Sequence, residues 1–145
     1  MSHHLVVRVV SKLLIPFILL FALYVQFHGD FGPGGGFQAG VIFASAFILY
    51  ALVFGLDNAR RVLPEWVTRA GIALGVLIYG GTGVVGILLG HNYLDYSPLG
   101  STAPLGQHIG ISVIEFGVGM TVASVMATIF LAFAERNRDL FDLEE

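Results

Sequence analysis

The sequence predicts an all-α integral membrane protein with four transmembrane helices, and three observations carry that prediction. Only 12% of its 145 residues are charged, against about 25% in soluble domains, and its mean hydropathy is +0.83. Residues 37–56 and 70–89 each run twenty positions without a charged side chain, about 30 Å of helix and enough for a bilayer core. All seven Lys and Arg residues fall on one side of a four-span arrangement.

The first span, 8–27, has an uncharged stretch from 13 to 27 that lengthens if Arg8 and Lys12 snorkel. A charged start before an apolar run also suits a signal peptide. No small-residue cleavage site precedes His28, however, so the segment is expected to remain as a span. The second span is 37–56. After it the inner loop LDNARRVLPEW places Pro64 where the first turn of a new helix tolerates it, and Trp66 as an interface anchor.

The third span, 68–90, is rich in glycine. Gly71 with Gly75, and Gly86 with Gly90, have the small-xxx-small spacing of closely packed membrane helices. The outer loop HNYLDYSPLGSTAPLG reads as an ordered, irregular cap. The fourth span, 108–134, is long enough to cross with some tilt, and 135–145 form an acidic cytoplasmic tail. Residues 1–145 make one membrane domain without an internal repeat.

Orientation follows from the basic residues. Arg8 and Lys12 precede the first span; Arg60, Arg61 and Arg69 lie in or beside the inner loop; Arg136 and Arg138 follow the last span. The loops 28–36 and 91–106 carry no Lys or Arg. The positive-inside rule therefore predicts that both termini are cytoplasmic. A net charge of −3 implies no nucleic-acid partner, and the absence of cysteine excludes disulfides and thiolate metal sites. No acid pair, nucleophile with base, or metal-ligand spacing is present, so neither an enzyme, a cofactor nor a resident metal is expected.

The segment HGDFGPGGGFQAG, His28 to Gly40, has six glycines among thirteen residues and lies between the first two spans. Irregular backbone at membrane depth is tolerated only where protein or water covers it. Pro33 fixes its own φ and biases Gly32 away from helix, while Gly34, Gly35 and Gly36 open conformations closed to other residues. Two readings stand: a tight turn where backbones approach closely, or an ion- or water-contacting site with His28 and Asp30 beside it. Neither the phosphate-loop pattern nor the strand of a dinucleotide fingerprint is present.

Glu115 sits about 10 Å inside the fourth span, and intramembrane carboxylates usually mark ion or proton routes. At 100° per residue, His108, Ser112, Glu115 and Gly119 share one face, with Gly110, Gly117, Thr121, Ser124 and Thr128 roughly opposite. Both faces need protein against them, which four short helices could hardly supply, so partner subunits are expected. Glu115 either compensates a passing cation or ties helices together as a structural carboxyl. His108 is either part of that path or an interfacial histidine.

The stretch PFILLFALYVQFHGDFGPGGGFQAGVIFASAFILYAL resembles the MnhB/MrpB-like members of the multisubunit Mrp/Mnh-type Na⁺/H⁺ antiporter family. The family's H-G-x-x-x-P-G-G-G-F-Q-x-G pattern falls on His28, Gly29, Pro33, Gly34, Gly35, Gly36, Phe37, Gln38 and Gly40. Residues 110–118, GISVIEFGV, resemble the fourth-helix motif more loosely, and Ala39 stands where many relatives have glycine. The resemblance implies a small, non-enzymatic subunit of a hetero-oligomeric antiporter in the bacterial plasma membrane, moving Na⁺ against H⁺. Such small subunits are thought to help form the cation route. The resemblance also admits a membrane-bound hydrogenase-type complex or a purely structural scaffold subunit.

Overall fold

The computed structural model describes residues 2–29 and 34–142, and the side chains of 5–29 and 34–137. Among the described residues every regular element is helical: α1 (Ser2–Phe27), α2 (Gly36–Phe54), α3 (Leu56–Val62), α4 (Glu65–Leu88), a 3₁₀ turn (Ser97–Leu99) and α5 (Ala103–Asp142). Four stretches are long and apolar enough to span a membrane: Leu5–Phe27, Gly36–Phe54, Glu65–Leu88 and Ala103–Asn137.

The helices do not pack in chain order. α5 is central, with α2 along one side and α4 along another, while α1 packs on α2 and meets α5 only slightly. The spatial order α1, α2, α5, α4 is an open row. Its interior is made mostly of small residues: the buried hydrophobics are Ala22, Ala39, Ala44, Ala46, Ala51, Ala59 and Ala127, with Leu131 the one large side chain among them. Large side chains such as Phe17, Leu52, Leu77 and Phe133 point outward. Lipid is as apolar as leucine, so close backbone packing rather than bulk burial joins the helices.

Two seams on α5 show how. Along α4, a Cβ on Gly71 would collide with Ser124 Oγ, and one on Gly75 would collide with Thr121 Oγ1 and lie 2.5 Å from the Gly117 carbonyl oxygen. Along α2, a Cβ on Gly36 would collide with the Glu115 carbonyl oxygen, and one on Gly40 would lie 2.6 Å from that of Gly119. The chain's own α2 and α4 therefore line both of these small-residue seams, while His108 and Ser112 at the start of the polar face stay exposed.

The pair Gly86 and Gly90 does not join helices. A Cβ on Gly86 would lie 3.0 Å from the carbonyl oxygens of Asn92 and Asp95 in the following loop. Gly90, at φ +83°, ends α4 in a Schellman turn: its N–H donates to Ile87 O at 2.9 Å, and that of His91 to Gly86 O at 3.1 Å. The loop beyond is the ordered cap that the sequence suggests. Asp95 Oδ1 accepts from the Ser97 N–H at 3.0 Å, Asp95 Oδ2 lies 3.1 Å from His91 Nδ1, and Gln107 donates to Ser97 Oγ at 3.2 Å. The Tyr93 ring covers Gly83 and the Tyr96 ring covers Gly110, so the loop clamps the end of α4 to the start of α5.

At the opposite end the loop between the second and third spans is partly helical. Gly55 at φ +93° separates α2 from the short α3, and Pro64 caps α4. Arg60 of α3 forms a two-pronged ion pair with Glu135 of α5, Nη2 to Oε2 at 2.7 Å, and that carboxylate raises the already high pKa of the guanidinium. α5 itself continues to Asp142, past the fourth span's expected end at 134.

Candidate ion-path site

α1 ends at Phe27 and α2 begins at Gly36, and the described residues between them, 28, 29, 34 and 35, lie outside helix. Gly35 caps α2 at φ +149°, ψ −172°, a conformation essentially confined to glycine. Gly35 has no side chain of its own with which to cap this terminus. The N–H of Ala39 donates to Gly35 O at 3.0 Å, but the N–H groups of the preceding turn have no partner within their own helix. A helix N-terminus of this kind favours negative charge.

Glu115 places a carboxyl there. A Cβ on Gly29 would lie 2.9 Å from Glu115 Oε2, and one on Gly35 would lie 2.9 Å from Glu115 Oε1. The half-buried carboxyl thus rests over the turn, close to both Gly29 and Gly35 and beside the start of α2. Any side chain at Gly29 or Gly35 would push it away. The two motifs, eighty residues apart from Gly35 to Glu115, meet at one place.

The remaining candidates separate. His28 is exposed and stacks on Tyr24, ring centroids 4.8 Å apart, in an aromatic row with Phe21 along α1. His108 and Ser112 are exposed on α5 ahead of Glu115, where the glycine turn does not cover them. Of the motif residues, Phe37 and Gln38 are exposed, although Gln38 Oε1 would come within 3.8 Å of a Cβ on Gly35. Gly34 approaches Val25 of α1, and Gly40 is buried against α5. Asp30 and Pro33 lie outside the described residues. No cluster of three or more His, Cys, Asp or Glu side chains occurs among the described residues.

One polar residue escaped the sequence reading. Gln26, in the last turn of α1, places Oε1 where a Cβ on Gly119 would lie 2.5 Å away. A lone glutamine near a span end reads as an ordinary interfacial residue. Only its pairing with a glycine on a distant helix distinguishes it, and spacing along one chain does not report that pairing.

A helical membrane protein with a carboxyl seated on a glycine-rich helix break is the class that fold and site define. Residues 6–128 match the family model for domains related to the MnhB subunit of Na⁺/H⁺ antiporters. The chain is 34% identical over 136 residues to the antiporter subunit mnhB2 of Staphylococcus epidermidis, covering 92% of this chain and 96% of the relative. It is 35% identical over 136 residues, with the same coverage, to the mnhB2 subunit of Staphylococcus haemolyticus. The mnhB2 subunit of a Staphylococcus aureus strain is 34% identical over the same length. This chain belongs to the MnhB family.

Proposed function

We propose that this chain is a small membrane subunit of a hetero-oligomeric Na⁺/H⁺ antiporter, in a bacterial plasma membrane with both termini cytoplasmic. The reading gives Glu115 and the glycine turn a part in the cation path, with Na⁺ as transient cargo, and makes the chain a transporter component rather than an enzyme. One observation carries it: the only acidic side chain between residues 103 and 134 rests on the break between two other spans. In transporters, broken helices expose unpaired backbone N–H and carbonyl groups that coordinate ions near the membrane middle. A carboxylate at such a break can exchange its balancing charge between a helix terminus and a passing cation.

A structural reading has its own support. The close approach of Gly36 to the Glu115 backbone would hold α2 on α5 whatever the carboxyl does. Glu115→Gln separates the two, because it preserves shape and hydrogen bonding but removes charge. In the ion-path reading, the Gln variant assembles normally and exchanges Na⁺ poorly. Near-normal exchange in Glu115→Gln, together with failed assembly in Glu115→Ala, would leave only the structural role. Topology is tested by single-cysteine labelling in this cysteine-free chain. Asp30→Cys should react from outside and Arg61→Cys from the cytoplasm, and the reverse pattern would overturn the orientation.

A further inference from the structure

Gln26 and Gly119 lie where α1, α2 and α5 converge, one helical turn along α5 from Glu115, about 6 Å of rise. The site left by a Cβ on Gly119 is 2.5 Å from Gln26 Oε1 and 3.1 Å from the Gly36 carbonyl oxygen. Gly36 in turn backs directly onto Glu115. The carboxyl, the Gly36 carbonyl and the carboxamide therefore follow one another along the seam between α2 and α5. Next to them is a cavity of about 110 Å³, bounded by Leu23, Gln26, Gly40, Phe43, Phe116 and Met120. Gln26 supplies the one polar side chain on its wall.

A carboxamide is expensive to keep in a membrane without a partner. Among the described residues Gln26 makes no hydrogen bond, although it is half-buried. Two oxygens converging on a bare glycine are hard donors of the kind that replace the hydration shell of an alkali cation. We infer that Gln26 is a second oxygen donor on the cation route, handing Na⁺ to or from Glu115 along the α2–α5 seam. This rests on the ion-path role of Glu115. It sends the route from Glu115 along the seam toward Gly119, as well as toward His108 and Ser112.

The test uses the assembled antiporter in everted vesicles, with exchange measured against Na⁺ concentration. Gln26→Leu and Gln26→Met keep the bulk and remove the oxygen; Gln26→Glu keeps an oxygen in place. The Leu and Met variants should assemble at wild-type levels and raise the half-saturating Na⁺ by about tenfold with little change in maximal rate. Gln26→Glu should restore a half-saturating concentration near wild type. Unchanged Na⁺ dependence in the Leu and Met variants would overturn the inference. So would loss of assembly in both, which would make Gln26 a tie between α1 and α5. Glu115→Gln measured in parallel tells the two failures apart. A Na⁺ shift there with none at Gln26 sinks only the role of Gln26. No shift at Glu115 sinks the ion-path reading beneath it.

Discussion

The two seams of α5 are built alike and differ in one respect. Each sets a pair of glycines four apart, Gly71 and Gly75 on α4 or Gly36 and Gly40 on α2, against small or backbone groups of α5. On the α4 side, the glycines meet two hydroxyls of α5, Thr121 and Ser124, and α5 holds two of its hydroxyls within its own helix. Thr121 Oγ1 donates to Gly117 O at 2.9 Å and Thr128 Oγ1 to Ser124 O at 2.7 Å. The contacts of these two glycines include neither a carboxyl nor a carboxamide. The α2 side carries a carboxyl, a carboxamide and a helix terminus opened by glycine in the same crevice. Small-residue packing is common to both, so it explains adhesion. The surplus polarity on one side is what requires a function.

The largest effect is expected from Gly36→Val. Its Cβ would strike backbone rather than a movable side chain, so the α2–α5 seam cannot close. Overpacking alone costs about 1–3 kcal/mol, and a backbone clash should exceed that. Complex recovered on native gels should fall to background, and recovery at wild-type yield would mean that the seam is not as close as described. Gly75→Val should also lose assembly, but less completely, because part of the clash is with the Thr121 hydroxyl. Combining it with Thr121→Ala should recover some complex, while the same partner change should do nothing for Gly36→Val.

Gly35→Val sharpens the contrast. Its clash is with the end of the Glu115 side chain, which can swing aside, but its φ of +149° is strained for any other residue at roughly 1–3 kcal/mol. Partial assembly with a disproportionate loss of exchange is expected. Exchange that falls only in step with assembly would place the turn with the α4 seam, as packing alone. Below these comes Arg60→Ala. The pair with Glu135 is partly exposed, with side-chain accessibilities of 27% and 35%, so its loss should cost about 1 kcal/mol or less. A small fall in thermal stability with normal Na⁺ dependence is expected.

Much of this contrast was legible in the residues themselves. Charge-free runs and one-sided arginines pointed to the four spans, and the Gly71–Gly75 spacing named a true packing pair. Glu115 stood out because an acid in a span is rare. The spacing of Gly86 and Gly90 misled, since the same four-residue interval also serves a helix stop, and only the φ of Gly90 tells the two apart. The order α1, α2, α5, α4 was not legible at all. Periodicity tells which face of a helix is small, not which helix meets it. Gln26 was missed for that reason: its meaning lies in Gly119, ninety-three positions away.

The smallest change should come from the cap formed by residues 91–106. The Asp95 carboxyl is held below the usual carboxylate range by the Ser97 hydroxyl, then by the Ser97 N–H and by His91. Its contribution to the cap is therefore complete above about pH 4, its ordinary value, and is lost as pH falls through the lowered one. Asp95→Asn should leave exchange unchanged at neutral and alkaline pH. A shifted pH profile there would show that the cap is coupled to the route.

The central claim is that the carboxyl on the α2 seam meets Na⁺, and infrared difference spectroscopy reads it without relying on turnover. Purified antiporter complex is exchanged between Na⁺ and a large organic cation such as N-methylglucamine, and the carboxylate stretching region is recorded for wild type and Glu115→Gln. A Na⁺-dependent carboxylate band present in wild type and absent from the assembled Gln variant is the predicted result. Identical difference spectra for the two complexes would contradict the account.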